Sequence, residues 1–128
     1  MKILGCTIII LTFCAVPKLQ ATGLESGNNL LKYCQAAEKN LNGQSLSLEE
    51  LRNAMMCIGY FEGVLGDHGV YQGANPNYQM IRFCIGDDMP ISQGIRVLVK
   101  FLREHPEKLQ MRGSLLIEVA MSEALPCK

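Results

Sequence analysis

Between residues 63 and 88 the sequence gathers side chains that can do chemistry. Asp67 and His68 are adjacent, Cys84 follows, and Asp87-Asp88 closes the stretch. A Cys–His–Asp set makes a nucleophile when one thiolate is held against an imidazole. Asp67, His68, Asp87 and Asp88 are also the side chains a metal ion would draw on. They lack the ordered set of ligands that zinc requires and the loop pattern of an EF-hand. Asp87-Asp88 stands just ahead of Met89-Pro90 and more simply supplies negative charge at a helix start, where the dipole favours it. His105, in the run REHPEK, suits a helix C-terminus for the same reason. Carboxylates for glycoside chemistry would have to be assembled from Glu49, Glu50 and Glu62, and the first two are better used in capping. No Ser–His–Asp order, phosphate-cradling glycine fingerprint or basic–aromatic interleaving stands out. Local chemistry points away from an enzyme, and no metal or cofactor is expected.

Whether Cys84 is a nucleophile depends on its compartment. The chain opens MKILGCTIIILTFCAVPKLQA, one lysine, an apolar run and a polar break ending in Ala21. That is the layout of a secretory signal peptide, residues 1–21, cleaved after Ala21. A membrane anchor is the competing reading, but the apolar stretch from Ile3 to Val16 falls short of the roughly 20 residues a spanning helix needs. Cleavage leaves one exported domain, residues 22–128, with Cys34, Cys57, Cys84 and Cys127. An even number of cysteines in an oxidising compartment argues for two disulfides, with three pairings open. There is no C-x-x-C to suggest a zinc knuckle or a redox pair.

Lys and Arg number 12 in the whole chain, as do Asp and Glu. Removing Lys2 and Lys18 leaves the exported part slightly acidic, without the basic stripe that would grip nucleic acid. A domain this small has a modest core, so disulfides should matter to it.

Helical periodicity organises most of residues 22–128. GNNLLKYCQAAEKN offers Asn28 as an N-cap, with Leu30, Leu31, Cys34 and Ala37 on one stripe. Ser47-Leu48-Glu49-Glu50 is a capping box that starts a second helix. There, Leu48, Leu51, Met55, Ile58, Phe61 and Leu65 form one apolar stripe, and Met56, Cys57, Tyr60 and Val64 another beside it. Two stripes predict a central helix buried on more than one side, with Gly59 and Gly63 allowing close approach of another backbone. The pattern fails from Gly66 to Cys84, apart from a short helical turn at Tyr78 to Phe83, which predicts a long loop. ISQGIRVLVKFLREHP restores the period, with Ile91, Ile95, Leu98, Val99 and Leu102 inward and Arg96, Lys100, Arg103 and Glu104 outward. Pro106 ends that helix or opens the next. The segment PEKLQMRGSLLIEVAMSEAL carries Leu109, Leu116, Val119 and Ala120 at helical spacing.

The expected fold is all-α, a disulfide-stapled bundle of four main helices with a long loop between the second and third. Antiparallel neighbours would bring Cys34 to Cys57 across the first turn and Cys84 to Cys127 across the turn near Pro106, within disulfide reach. The long loop is a candidate display surface. Tyr71 and Tyr78 are amphipathic contact residues, and Gln72, Asn75 and Asn77 are adaptable hydrogen-bonders. From Glu62 to Pro90, four acids stand against Arg82 alone, a balance that suits a basic cleft. The bland alternative is a solvated connection with no role.

In order along the chain, GNNLLKYC, CIGYFEGV, a lone cysteine, VLVKFLREHPEKL and LLIEVAMSEALPC resemble the Rap/Tai family of type VI secretion immunity proteins. The resemblance runs from about Gly27 to Cys127. It implies a small, helical, disulfide-bonded, dimeric periplasmic protein that neutralises a peptidoglycan amidase, a papain-like cysteine enzyme, by blocking its active cleft. It covers scaffold more than site. The expected partner contacts are Asp67, His68, Tyr71, Gln72, Asn75, Tyr78, Asp87 and Asp88, with the body rigid, no nucleic acid bound and no membrane contact after cleavage. A periplasmic binding or chaperone-like module without a toxin partner is the second reading, and an exported hydrolase using His68 the third.

Overall fold

The structure is a computed structural model that describes residue 24 and residues 26–74, 81–86 and 88–127, with residues 71–74 described by backbone alone. The expected signal segment, 1–21, lies outside the described residues. Four α-helices follow one another: α1 (Gly27–Leu41), α2 (Leu48–Ala74), α3 (Ile91–Glu104) and α4 (Gly113–Ala124). A 3-10 turn at Pro106–Lys108 separates the last two.

Local chemistry sets the helix starts. The capping box forms as expected: Glu50 N donates to Ser47 Oγ at 3.2 Å, and Ser47 N donates to Glu50 Oε2 at 2.9 Å. Lys39 Nζ sits 3.0 Å from Glu50 Oε1, which ties α1 to the start of α2. The Ser47 backbone N–H, with help from Lys39, holds the Glu50 carboxyl down to about 2. The start of α1 differs from the expected Asn28. Ser26 is the N-cap, its Oγ accepting from Asn29 N at 3.4 Å, and a tertiary contact draws the helix back to it. Gly27 N donates to Met111 O at 3.1 Å, and a Cβ on Gly27 would fall 2.8 Å from Leu109 Cα. Beside it, Ser26 and Arg112 form an antiparallel bridge. That clamp also explains why residues 106–112 are not α-helical, although the sequence carries helical spacing through them. Helix α4 begins only at Gly113, where a Cβ would collide with Leu24 O.

The core lies where the four helices meet. Phe61 of α2, Leu30 of α1, Leu98 and Leu102 of α3, and Leu116 and Met121 of α4 are fully buried. Each such side chain contributes about 1.5–3 kcal/mol relative to exposure. Helix α3 follows its expected pattern, with Ile95, Leu98, Val99 and Leu102 inside and Arg96, Lys100, Arg103 and Glu104 outside. Gly94 lets it approach α2, since a Cβ there would lie 2.7 Å from the Phe61 ring. Both expected disulfides form. Cys34–Cys57 joins α1 to α2 inside the core at a Cα separation of 5.1 Å, and Cys84–Cys127 has a Cα separation of 4.9 Å.

Helix α2 departs from expectation in two ways. It does not stop near Gly66 but runs through Ala74, 27 residues in all, so the connection to α3 is shorter than the sequence suggests. Nor is it buried on two sides. Cys57, Phe61 and His68 face the core, while Leu48, Leu51, Met55 and Met56 are exposed.

Candidate partner-binding surface

The residues expected to meet a partner divide between the end of α2 and the connection that follows. Asp67 is exposed on α2. His68, next to it, is 5 % exposed and stacks on the Phe83 ring at 3.8 Å with the planes 11° apart. The expectation that His68 lies in a surface segment is therefore corrected. Extending the helix places residue 68 on the stripe of Cys57 and Phe61, and the ring turns inward. Burial holds its imidazole below the usual histidine range, against a smaller opposing pull from Asp67. A neutral ring packs on Phe83 without leaving a charge in the core.

Phe83 is itself 2 % exposed, and this stack fixes the returning chain. At the next residue Cys84 N donates to Leu125 O at 2.9 Å, and its sulfur is bound to Cys127. The connection is thus held to α2 by a ring stack and to the end of α4 by a hydrogen bond and a disulfide. Leu65, His68, Gly69, Phe83 and Ile85 line an open depression of about 310 Å³ at this end. The Cys84 sulfur carries no thiolate, so Cys84 with His68 is not a nucleophile–base pair in this oxidised state. Among the described residues no three His, Cys, Asp or Glu side chains gather closely enough to hold a metal ion.

Electrostatically this end is acidic. Burial, and secondarily the charge of Asp67, pushes the half-buried Glu118 carboxyl on α4 above the usual range. Asp67 and Glu118 therefore act on one another across two helices. Glu118 was missed in the sequence because it stands inside an otherwise apolar helix. Asp88 is exposed after Gly86, whose carbonyl accepts from Met89 N at 3.1 Å. Tyr71 and Gln72 lie on the last turns of α2, while Asn75, Tyr78 and Asp87 lie outside the described residues.

A second surface went unrecognised in the sequence. The exposed side of α2 carries Leu48 at 85 %, Met55 at 60 % and Val70 at 70 % exposure, with Leu51 and Met56 beside them. Gly59, Gly63, Gly66 and Gly69 share this helix, and a Cβ on any of them would meet nothing. Each costs the helix about 0.5–1 kcal/mol relative to alanine, with no packing inside this chain in return. The run of helical glycines was the signal for an external surface.

The family model of Rap1a immunity proteins matches residues 26–127, from the N-cap of α1 to the last cysteine. The chain belongs to the Rap1a immunity protein family. Membership implies an immunity protein against a type VI effector, hence a chain whose role is to bind a cognate effector. The Rap1a match spans all four helices and all four cysteines of both disulfides. Comparison with curated proteins and with solved structures found no match. Among the described residues no helix is long and apolar enough to cross a membrane.

Proposed function

We propose that this chain is exported to the periplasm, loses residues 1–21, and there inhibits a peptidoglycan amidase effector of type VI secretion by covering its active cleft. The observation that carries this reading is the family match over residues 26–127. The exported form is a non-catalytic inhibitor acting as a dimer, and its folded domain comprises residues 22–128.

The inhibitory surface is the acidic end built from the last turns of α2, the connection and the start of α3. Asp67 and Asp88, both exposed, supply charge for a basic cleft. Tyr71, Gln72, Asn75, Tyr78 and Asp87 are the remaining contacts. His68 acts from beneath, seating Phe83 and with it the connection. Fixing a segment before binding lowers the entropy lost on association, and the His68–Phe83 stack and the Cys84–Cys127 bridge support that role.

The test is genetic and biochemical. Cells producing the cognate amidase in their periplasm should survive when this chain is exported with it, and the two proteins should co-purify. Lysis despite export would overturn the reading. Charge reversal at Asp67 and Asp88 together should weaken the complex, and an unchanged dissociation constant would remove the acidic end from the mechanism.

A further inference from the structure

We propose that a groove between α1, α2 and α3, floored by Asn53, is a binding site for a short peptide that ends in a free carboxylate. The groove is distinct from the inhibitory surface, since the helix rise puts Asn53 about 21 Å from Asp67 along α2. Its occupancy does not depend on what the chain inhibits.

Asn53 carries the argument. It stands one turn ahead of Cys57 on the stripe that leads through Phe61 into the core, a position that suits an apolar side chain, and it is only 6 % exposed. Yet its side-chain amide makes no hydrogen bond to any described residue. No side-chain polar atom among the described residues is both sealed from solvent and unpaired, so the Asn53 amide opens onto the groove that it lines. A polar group kept on the core stripe, with nothing in its own chain to satisfy it, calls for a partner from outside.

The surroundings fix the chemistry of the occupant. Lys32, Gln35 and Lys39 share one face of α1, Glu50 lies one turn before Asn53 on α2, and Arg103 comes from the last turn of α3. Together they line about 410 Å³, the scale of a small-ligand site. Gln35 is half-buried, and its side chain likewise makes no hydrogen bond to a described residue. Two free carboxamides present donors and acceptors together. That pattern matches the N–H and C=O of a peptide group, whereas a bare oxyanion would leave the acceptors idle. The cations are held by glutamates: Arg103 by Glu38 at 2.9 Å, Lys39 by Glu50 at 3.0 Å, and Lys32 more loosely by Glu49 at 4.0 Å. Each has more N–H donors than its glutamate takes. The two carboxylate oxygens of Glu50 are themselves occupied, by Lys39 and by the Ser47 N–H. Charge in the region is close to balanced, so a monoanion bound through the spare donors suits it better than a phosphate dianion. A peptide with a terminal carboxylate supplies both parts, its amide on the floor and its charge at the rim.

The experiment is a nuclear magnetic resonance titration of the isotope-labelled, disulfide-intact exported chain with N-acetyl-alanyl-alanine, followed at the side-chain amide signals of Asn53 and Gln35. No effector is present, so the outcome does not depend on the immunity reading. Both signals should shift saturably, with a dissociation constant of about 1 mM for a ligand of this size. The same peptide closed by a C-terminal amide, and inorganic phosphate, should each bind at least about tenfold more weakly. Asn53→Leu and Arg103→Gln should each weaken the peptide by roughly tenfold. Arg103 and Gln35 both reach solvent, so Arg103→Gln and Gln35→Ala test the groove even where Asn53→Leu disturbs the fold. No saturable shift at about twentyfold that constant would mean that water alone fills the groove, and would overturn the site. Equal binding of phosphate would overturn the peptide assignment, and equal binding of the amide-closed peptide would overturn the carboxylate. Unchanged affinity in the variants would overturn the placement in this groove.

Discussion

Removing the Cys84–Cys127 bridge tests whether sulfur braces the frame. The two cysteines are separated by 43 residues in sequence, and loop-closure entropy puts their constraint on the unfolded chain at about 4.0 kcal/mol at 25 °C. By the same relation the 23-residue separation of Cys34 and Cys57 is worth about 3.4 kcal/mol. Cys84 is exposed and Cys127 half-buried, so Cys84→Ser with Cys127→Ser should open little space in the core. Its cost should therefore stay close to the entropic figure. The bridge inside the core should cost more than its own figure when both cysteines become alanine, because two buried sulfurs are lost as well. Urea unfolding followed by circular dichroism gives both values. The slope should rise for the Cys84/Cys127 variant as its unfolded chain expands. A loss below about 1 kcal/mol for that variant would refute the bracing argument.

Other expectations follow from single sites. Ser47→Ala removes the capping hydroxyl of α2 and should cost about 1 kcal/mol in thermal or chemical unfolding. Stability should fall as pH drops below 6.5, the ordinary histidine value, because the unfolded chain then takes up a proton that the buried His68 ring resists. In His68→Phe that part of the slope should vanish, and an unchanged slope between pH 7 and pH 5 would assign it elsewhere. Gly94→Ala should destabilise by about 1–3 kcal/mol, since its Cβ would meet the Phe61 ring at 2.7 Å. Gly59→Ala should instead stabilise the isolated chain by about 0.5–1 kcal/mol, because its Cβ meets nothing.

Much of the frame is legible in the residues. Ser47 and Glu50 announce the start of α2 because capping is a local contest over orphan N–H groups. The inward set of α3 follows from one well-separated stripe, and the disulfide pairing follows from antiparallel neighbours. What failed depends on distant partners. Ser26 rather than Asn28 caps α1 because residues 109–112 hold Gly27 in place. The reach of α2 past Gly66 was obscured by glycines that weaken helix propensity. Yet Cys57, Phe61 and His68 keep one face at steps of four and seven, and treating His68 as polar hid that continuation. Leu48, Leu51 and Met55 satisfy a burial pattern that this chain does not itself fulfil. A hydrophobic period specifies that a face is to be covered, not by which molecule. The proposed partner contacts other than His68 leave a weak trace because residues matched to another protein's surface would follow no periodicity of this core.

The central claim is inhibition of an amidase by a disulfide-braced, non-catalytic protein. Titrating the purified exported chain into the amidase proposed as its cognate effector, while following cleavage of peptidoglycan cross-bridges, tests that claim most directly. The account predicts that cleavage falls linearly to zero at a fixed stoichiometric ratio and that the mixture migrates as one complex. Full cleavage at saturating amounts of the correctly oxidised chain would contradict it.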